Sequence, residues 1–425
     1  MNKMNVVWLS HLLPFPPKGG VLQRSYNLLK EVSKYHDVHL IAFSQESLLK
    51  IHYSTTSEGI NDTTENLKSI CKSVTSVPMP LSWAPYTKNL LAFFSLFSRY
   101  PYTINWLNSN SYRELIIEIL NRESIDLIYC DTISLGIYQD VFGEIPFVIG
   151  HHNIESDMMF RRAENESNFI KKLYFQLEAK KIEKYEKELG QTAKLNVTCS
   201  DLDTERLGSL IPDNEIVTVP NGVDLSYFSA EPKHITNKDS INFIFAGRLN
   251  AYTNSKAAIF LADSVWPMLK KAFPGSKCFI VGSSPPLSLV KKAQSDDSLI
   301  VTGFVEDVRD YLREANIYIC PINDGGGTKL KILDALAMGI PVIADPIACE
   351  GIEVIEGKTV FYAQDPGQYV QHARNLIDHH DLYVDASRNS IALVRDLYSY
   401  AAIGESFAQH LLHTRYCCAH RPQAQ

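Results

Sequence analysis

This sequence has no basic excess, no long apolar run and no cysteine framework, and each absence removes a class of protein. Lys and Arg number 41 against 48 Asp and Glu, a formal net charge of −7, so the charge gives no reason to expect a nucleic-acid partner. The most apolar run, LLAFFSLF at 90–97, is far too short to span a bilayer. The eight cysteines show neither C-x-x-C nor a metal-ligand spacing, which argues for a reducing compartment and against structural disulfides. The opening MNKMNVVWLS runs straight into a strand pattern, so no signal peptide is expected. No Gly-Lys-Ser/Thr occurs, so there is no P-loop, and Gly19-Gly20 lacks the G-x-G-x-x-G spacing of a dinucleotide site.

What is present is an ordinary globular composition, 45% hydrophobic and 21% charged, over 425 residues. Short apolar runs alternate with helical periodicity along most of it, the signature of an α/β chain with doubly wound parallel sheets. Strands are expected near 5–9, 38–43, 74–77, 125–130, 146–150, 194–199 and 215–219. Residues 225–239 are polar and aperiodic and read as a linker. Alternation then restarts with strands near 241–246, 277–281, 299–302, 317–320 and 341–344 and a short one after 353. Long helices are expected at 158–189, 255–272 and 382–413, with a polar tail after 413. Domains follow at 1–224 and 240–390.

The stretch from 317 to 351, IYICPINDGGGTKLKILDALAMGIPVIADPIACEG, carries the most chemistry. It reads as strand, glycine loop, helix and strand. Asp324-Gly325-Gly326-Gly327 must be a loop, because three glycines cost too much entropy inside an element. Thr328 is placed to cap a helix running 329–338. Lys329 and Lys331 fall in its first turn, where the backbone dipole favours carboxylates, unless an anion sits on the free N–H groups. Asp334 stands in an otherwise apolar helix and needs a partner. Either it pairs with Lys331 at i,i+3, or it accepts from two hydroxyls of a ligand whose phosphates meet the lysines, as a nucleotide ribose would.

Other groups have a plain reading beside a functional one. Gly19-Gly20, opening a helix, either lets backbone amides approach a phosphate or sugar or is a turn after two prolines. His151-His152 ends a strand, where ligands of open α/β sheets lie, and alternation turns only one of the two toward the site. Asp201-Leu202-Asp203 has the form of a metal-binding D-x-D, but its place at the start of a helix favours capping. Asp378-His-His-Asp381 sits at a helix end, where a solvated surface is the simpler account. The aromatic segment 82–107, with Trp83, Phe93, Phe94, Phe97 and Trp106, is either helices over a sheet face or a surface for a lipid-linked or membrane-presented acceptor.

In order along the chain, Gly19-Gly20, His152, PNGVD at 220–224, GRL at 247–249, VTGFVEDV at 301–308 and KILDALAMGIPVI at 331–343 together resemble a retaining glycosyltransferase of the GT-B type, family 4. The resemblance covers 5 to about 377. It implies two facing Rossmann-like domains with an interdomain cleft for a nucleotide-sugar. The domain at 240–390 would hold the donor and that at 1–224 the glycan or lipid-linked acceptor. A helix at 391–412 would cross back to the first domain, ahead of a polar tail at 413–425. It implies that Arg248 binds the donor diphosphate, that Asp334 takes the ribose hydroxyls, and that the 324–328 loop, Asp324 to Thr328, wraps the sugar. His152 would contact that sugar, and Phe304 and Val305 would meet the base through backbone atoms. No metal, cofactor or nucleic acid is implied. The place is cytoplasmic, peripheral at the inner membrane face if 82–107 docks there.

Three departures from the family pattern stand out. Gly326 replaces its first acid, for which Asp324 or glycine amides would substitute. The lysine shortly after the GRL arginine is replaced near Asn254, with Lys256 off register, so Lys329 is expected to take the phosphate role. The usual His-Asp pair appears as His152-Asn153. Two other readings remain: a nucleotide-sugar epimerase on the same fold, and a nucleotide-binding scaffold with a degenerate site.

Overall fold

The computed structural model describes residues 3–17, 20–50, 53–80, 85–238, 240–325 and 328–419. Contacts divide the chain into two compact units, Met1–Pro220 with Ile403–Gln425, and Asn221–Ala402.

The first unit is built on seven parallel strands: β1 (Asn5–Ser10), β2 (Asp37–Ser44), β3 (Ser73–Pro78), β4 (Leu127–Cys130), β5 (Phe147–Gly150), β6 (Leu195–Thr198) and β7 (Ile216–Thr218). Their order is β3-β2-β1-β4-β5-β6-β7. The apolar runs form strands because helices cover both faces; β4 and β6 are buried throughout. The order reverses direction at β1/β4, the point where the carboxyl ends of a doubly wound sheet open a crevice. The C-terminal helix Tyr400–Ala419 belongs mostly to this unit. Phe407 packs edge-on to Trp8 and Tyr129, and Gly404 lies so close to Glu31 that an added Cβ would fall 2.1 Å from the Glu31 Cβ.

The second unit repeats the plan with β8 (Asn242–Ala246), β9 (Lys277–Val281), β10 (Leu299–Val301), β11 (Ile317–Cys320), β12 (Val342–Ala344) and β13 (Val360–Tyr362). The order β10-β9-β8-β11-β12-β13 reverses at β8/β11. The helix Leu330–Ala337 lies over this sheet with Ile332, Leu333, Ala335, Leu336 and Ala337 buried, and Gly339, at φ +63°, turns the chain into β12.

Helix joints depart from the sequence expectations. The helix expected at 158–189 is two, Glu155–Asn165 and Phe169–Thr192, because Asn168 caps the second by accepting from the Lys171 amide. The helix expected at 255–272 contains a π-helical turn, Leu261–Val265, ahead of Pro267, which has no N–H to continue the α register. The helix expected at 382–413 breaks at 398–399, giving His380–Leu397 and Tyr400–Ala419, and helix occupies the start of the expected polar tail. The 225–239 stretch is fastened to the second unit. Phe228 is in its core, and the Lys233 ammonium donates to the carbonyls of Leu312, Arg313 and Ala315 at 2.8, 2.8 and 2.6 Å.

Candidate functional site

At the β1/β4 reversal of the first unit, three strand ends bring His11, Asp131 and His152 together. Asp131 follows β4 and is fully buried. Its Oδ2 accepts from the Ser25 hydroxyl at 2.6 Å and lies 3.8 Å from His11 Nδ1, while Oδ1 lies 3.5 Å from His152 Nε2. Asp131 Oδ1, His11 Nδ1 and His152 Nε2 are buried and make no hydrogen bond. Burial pushes the Asp131 carboxyl up, but His152, His11 and the Ser25 hydroxyl outweigh it and hold it below the usual carboxylate range. Burial pushes the His11 imidazole down to about 4, so it is neutral at pH 7. One ligand atom from each residue lies within 4.8 Å of the others, a set able to hold a metal ion or to orient one imidazole through a carboxylate. The sequence reading found His152 but not Asp131 or His11. The signal was there for Asp131, since it ends its strand just as the histidines end the next.

Of the two histidines, His151 is structural. It is buried with Nε2 3.1 Å from Asn196 Oδ1, and burial pushes its imidazole down to about 4. The segment after His152 is pinned from the next long helix. Glu186, buried, accepts from the amides of Glu155 at 2.7 Å and Ser156 at 3.2 Å and from the Ser156 hydroxyl, capping the helix that starts there. Burial next to Glu186 pushes the Glu155 carboxyl up to about 8, and burial raises Glu186 to about 7.

At the β8/β11 reversal of the second unit, the start of the helix after β8, Tyr252–Phe260, and the loop after β11 approach each other. A Cβ on Gly325, whose φ is +90°, would lie 3.1 Å from Thr253 Cγ2. Asp324 Oδ1 accepts from the Gly325 amide at 2.7 Å, and the Lys329 ammonium donates to the Gly325 carbonyl at 3.0 Å. Arg248 follows β8 with its side chain exposed and makes no hydrogen bond or ion pair among the described residues. Thr328 does not cap the helix. Lys329 occupies the N-cap with no side-chain bond to the helix, and the Thr328 hydroxyl is buried without a partner, so the first-turn N–H groups lack a side-chain cap. Asp334 does not pair with Lys331 either. Its carboxylate makes no hydrogen bond among the described residues, and burial pushes it up to about 7 against the pull of Lys331. A row of cations followed one turn later by an unpartnered carboxylate suits a diphosphate and then a pair of hydroxyls.

Gly19, Gly326 and Gly327 lie outside the described residues, as does Trp83; Gly20 opens the helix Gly20–Val32. Phe304 is exposed after β10, while Val305 packs against the core, and both follow the carboxyl end of β10 in the sheet whose β8 leads to Arg248. Asp201 and Asp203 are the first and third residues of the helix Asp201–Leu210. Its cap is Ser200, which accepts from the Asp203 amide and donates to the Asp203 carboxylate at 2.8 Å. Asp201 accepts from Thr218. Both acids thus have local partners. In the aromatic segment Phe93, Phe94 and Phe97 are 56, 63 and 79% exposed and stack edge to face. The Lys181 ammonium holds the segment by bonds to the carbonyls of Ser95, Leu96 and Ser98. On the same helix as Lys181, Phe169, Ile170, Leu173 and Leu177 are exposed. No helix among the described residues is long and apolar enough to cross a membrane.

Residues 18–227 match a family model described as Glycosyltransferase Family 4, and residues 240–379 one described as Glycosyl transferases group 1. An uncharacterized 44.6 kDa protein in the cps region of Klebsiella pneumoniae is 24% identical over 243 residues, a match that covers 55% of this chain and 60% of that protein. Sucrose-phosphate synthase from Thermosynechococcus elongatus superposes with a TM-score of 0.66 at 16% identity, covering 98% of this chain and 100% of that one. HepE from Anabaena, solved in complex with UDP and glucose, superposes at 0.63 with 13% identity, covering 96% and 100%. These structural likenesses are likenesses of fold, two parallel α/β units of the GT-B type.

Proposed function

From the premise that this chain belongs to the group 1, family 4 glycosyltransferases, we propose that it transfers a sugar, with retention of configuration and without a metal, from a nucleotide-sugar to a glycan or lipid-linked hydroxyl. The observation that carries this reading is the charge pattern at the β8/β11 reversal: an exposed Arg248 and Lys329 at the N-cap of the helix after β11, with Asp334 making no hydrogen bond among the described residues one turn on. Arg248 and Lys329 take the diphosphate, Asp334 the ribose hydroxyls, and the 324–328 loop the sugar. His152, aligned by Asp131, touches that sugar. The edge at 303–305 receives the base.

Transfer is then driven by the leaving group. The cations and the helix N–H groups stabilise charge that develops on the departing diphosphate. The acceptor attacks from the same face, a phosphate oxygen taking its proton. The curated relative lies in a cps region, which favours a surface polysaccharide as the acceptor class. The exposed Phe93, Phe94 and Phe97 suit an acceptor presented at the cytoplasmic face of a membrane. Incubating the purified protein with UDP-, GDP- and ADP-sugars tests the reading. Release of free nucleotide, accelerated by acceptor, supports it. Interconversion of sugars would replace it with epimerisation, and binding without turnover with a scaffold.

A further inference from the structure

Lys331 is the one first-turn cation of the helix Leu330–Ala337 with no place in the scheme above. In the sequence it looks like the i,i+3 partner of Asp334. The fold turns it away. Its ammonium lies over the Phe245 ring, 5.4 Å from the centroid, and its single hydrogen bond among the described residues goes to the Asn254 side chain in the first turn of the helix Tyr252–Phe260 after β8. A Cβ on Gly247 would lie 3.0 Å from the ammonium, so the missing side chain at 247 leaves it room. The other end of the Asn254 amide donates to the Arg248 carbonyl at 2.9 Å. Only a side chain with both a donor and an acceptor can do this, and it ties the ammonium to the backbone of the arginine.

The surroundings lack the usual reason for a half-buried lysine. An ammonium has three protons to donate, and one is used here. Its hydrogen-bond partner is neutral, Asp334 attracts it without making a hydrogen bond to it, and Lys329, the nearest other cation on the helix, repels it. A partly desolvated cation beside a second cation is costly unless an anion completes the group. Gly247 and Asn254 place the ammonium at the carboxyl end of β8, beside the backbone of Arg248, and its own helix starts without a side-chain cap.

We propose that Lys331, held by Asn254 against Gly247, is a diphosphate-binding residue of the donor site, its ammonium reaching from the helix after β11 to the carboxyl end of β8 and the start of the helix that follows it. This rests on the nucleotide-sugar reading above. It gives Asn254 a positioning role, because a lysine at 254 could not accept from Lys331.

The test is calorimetric titration with UDP, GDP and ADP, and with the matching nucleosides, against wild type, Lys331→Met and Asn254→Asp. Met keeps the stem and removes the charge. Asp keeps the lysine but supplies a carboxylate that pairs with it. For the diphosphate that binds wild type best, both variants should lose at least tenfold in affinity. Their affinity for the nucleoside should stay within twofold and their melting temperatures within a few degrees. Unchanged diphosphate affinity in both variants overturns the proposal and leaves the donor-site reading standing. Equal losses for diphosphate and nucleoside, with a lowered melting temperature, make Lys331 a structural residue and also overturn it. Failure of wild type to bind any of the three diphosphates removes the underlying reading itself.

Discussion

The Asp131 carboxylate faces the His152 ring at 3.5 Å, with Asp131 fully buried and neither Oδ1 nor Nε2 otherwise bonded. A buried acid against an imidazole edge fixes the ring's orientation. We expect His152→Ala to lower turnover about a hundredfold and Asp131→Asn at least about tenfold, while nucleotide affinity stays within about twofold, since neither touches the nucleotide. Steady-state kinetics beside calorimetry checks this. The loss in Asp131→Asn should fall on kcat with nucleotide affinity kept, and a normal kcat would make the contact a packing detail.

Arg248 and Lys329 should each matter for the diphosphate. Charge-assisted hydrogen bonds of this kind contribute about 1.5–3 kcal/mol. Arg248→Ala and Lys329→Ala should therefore each weaken nucleoside diphosphate binding at least about tenfold. Calorimetry that finds both unchanged removes the clamp. Lys329 has a second duty, its bond to the Gly325 carbonyl, so its variant should also loosen the 324–328 loop and raise KM for the donor.

Asp334 makes a pH-dependent prediction. Burial raises its folded pKa to about 7, well above the usual carboxylate value. The contribution to stability is full below about pH 4 and is lost as pH rises through 7, to a limit of about 4 kcal/mol. Asp334→Asn should therefore be the more stable protein above pH 7, with the gap closing toward pH 4 in denaturant titrations. Ribose hydroxyls donate to the ionised form, so wild-type nucleotide affinity should climb from pH 6 to 8 more steeply than that of the variant. A pH-independent stability difference would contradict both statements.

Full activity should survive excess EDTA. Asp201 and Asp203 each accept from a local hydroxyl, Thr218 and Ser200, and among the described residues they do not form a converging metal-ligand group. The group His11, Asp131 and His152 has the geometry to take up a metal ion, so added Zn²⁺ should inhibit by occupying His152, and EDTA should relieve it. Activity lost to EDTA and restored by Mg²⁺ or Mn²⁺ would return a metal to the mechanism.

The exposed phenylalanines separate a docking surface from ordinary core. Replacing Phe93, Phe94 and Phe97 with Ser should leave the melting temperature and donor hydrolysis unchanged and reduce transfer to a lipid-linked acceptor. Equal loss of both activities would assign the segment to the fold.

The central strands were readable because they are short apolar runs buried on both faces, as β4 and β6 are, while the edge strands β3 and β7 are only partly buried. The helix joints were not, because single residues decide them: Asn168 starts a new helix, and Pro267 follows a π turn. The site was half legible. Arg248, Lys329, Asp334 and His152 stood out by their places at strand ends or in a helix turn. Asp131 joined His152 only once β4 and β5 were neighbours, and Lys331 met Asn254 across 77 positions of sequence. Local spacing suggested a Lys331–Asp334 pair, and the tertiary fold overrode it.

Stereochemistry tests the central claim most directly. None of the strings HHNIE, GRLN and NDGGGT sets an obvious carboxylate nucleophile for double displacement. Inversion would need a general base on the far face of the sugar, a role open to His152 with Asp131 behind it. Cations and helix amides around the leaving group suit departure of the diphosphate ahead of same-face attack. Proton NMR of the first-formed glycoside, taken before mutarotation or further turnover, distinguishes the routes. The account predicts an α-linked product from an α-linked nucleotide-sugar. A β-linked product would contradict it and make the Asp131–His152 pair the base of an inverting enzyme.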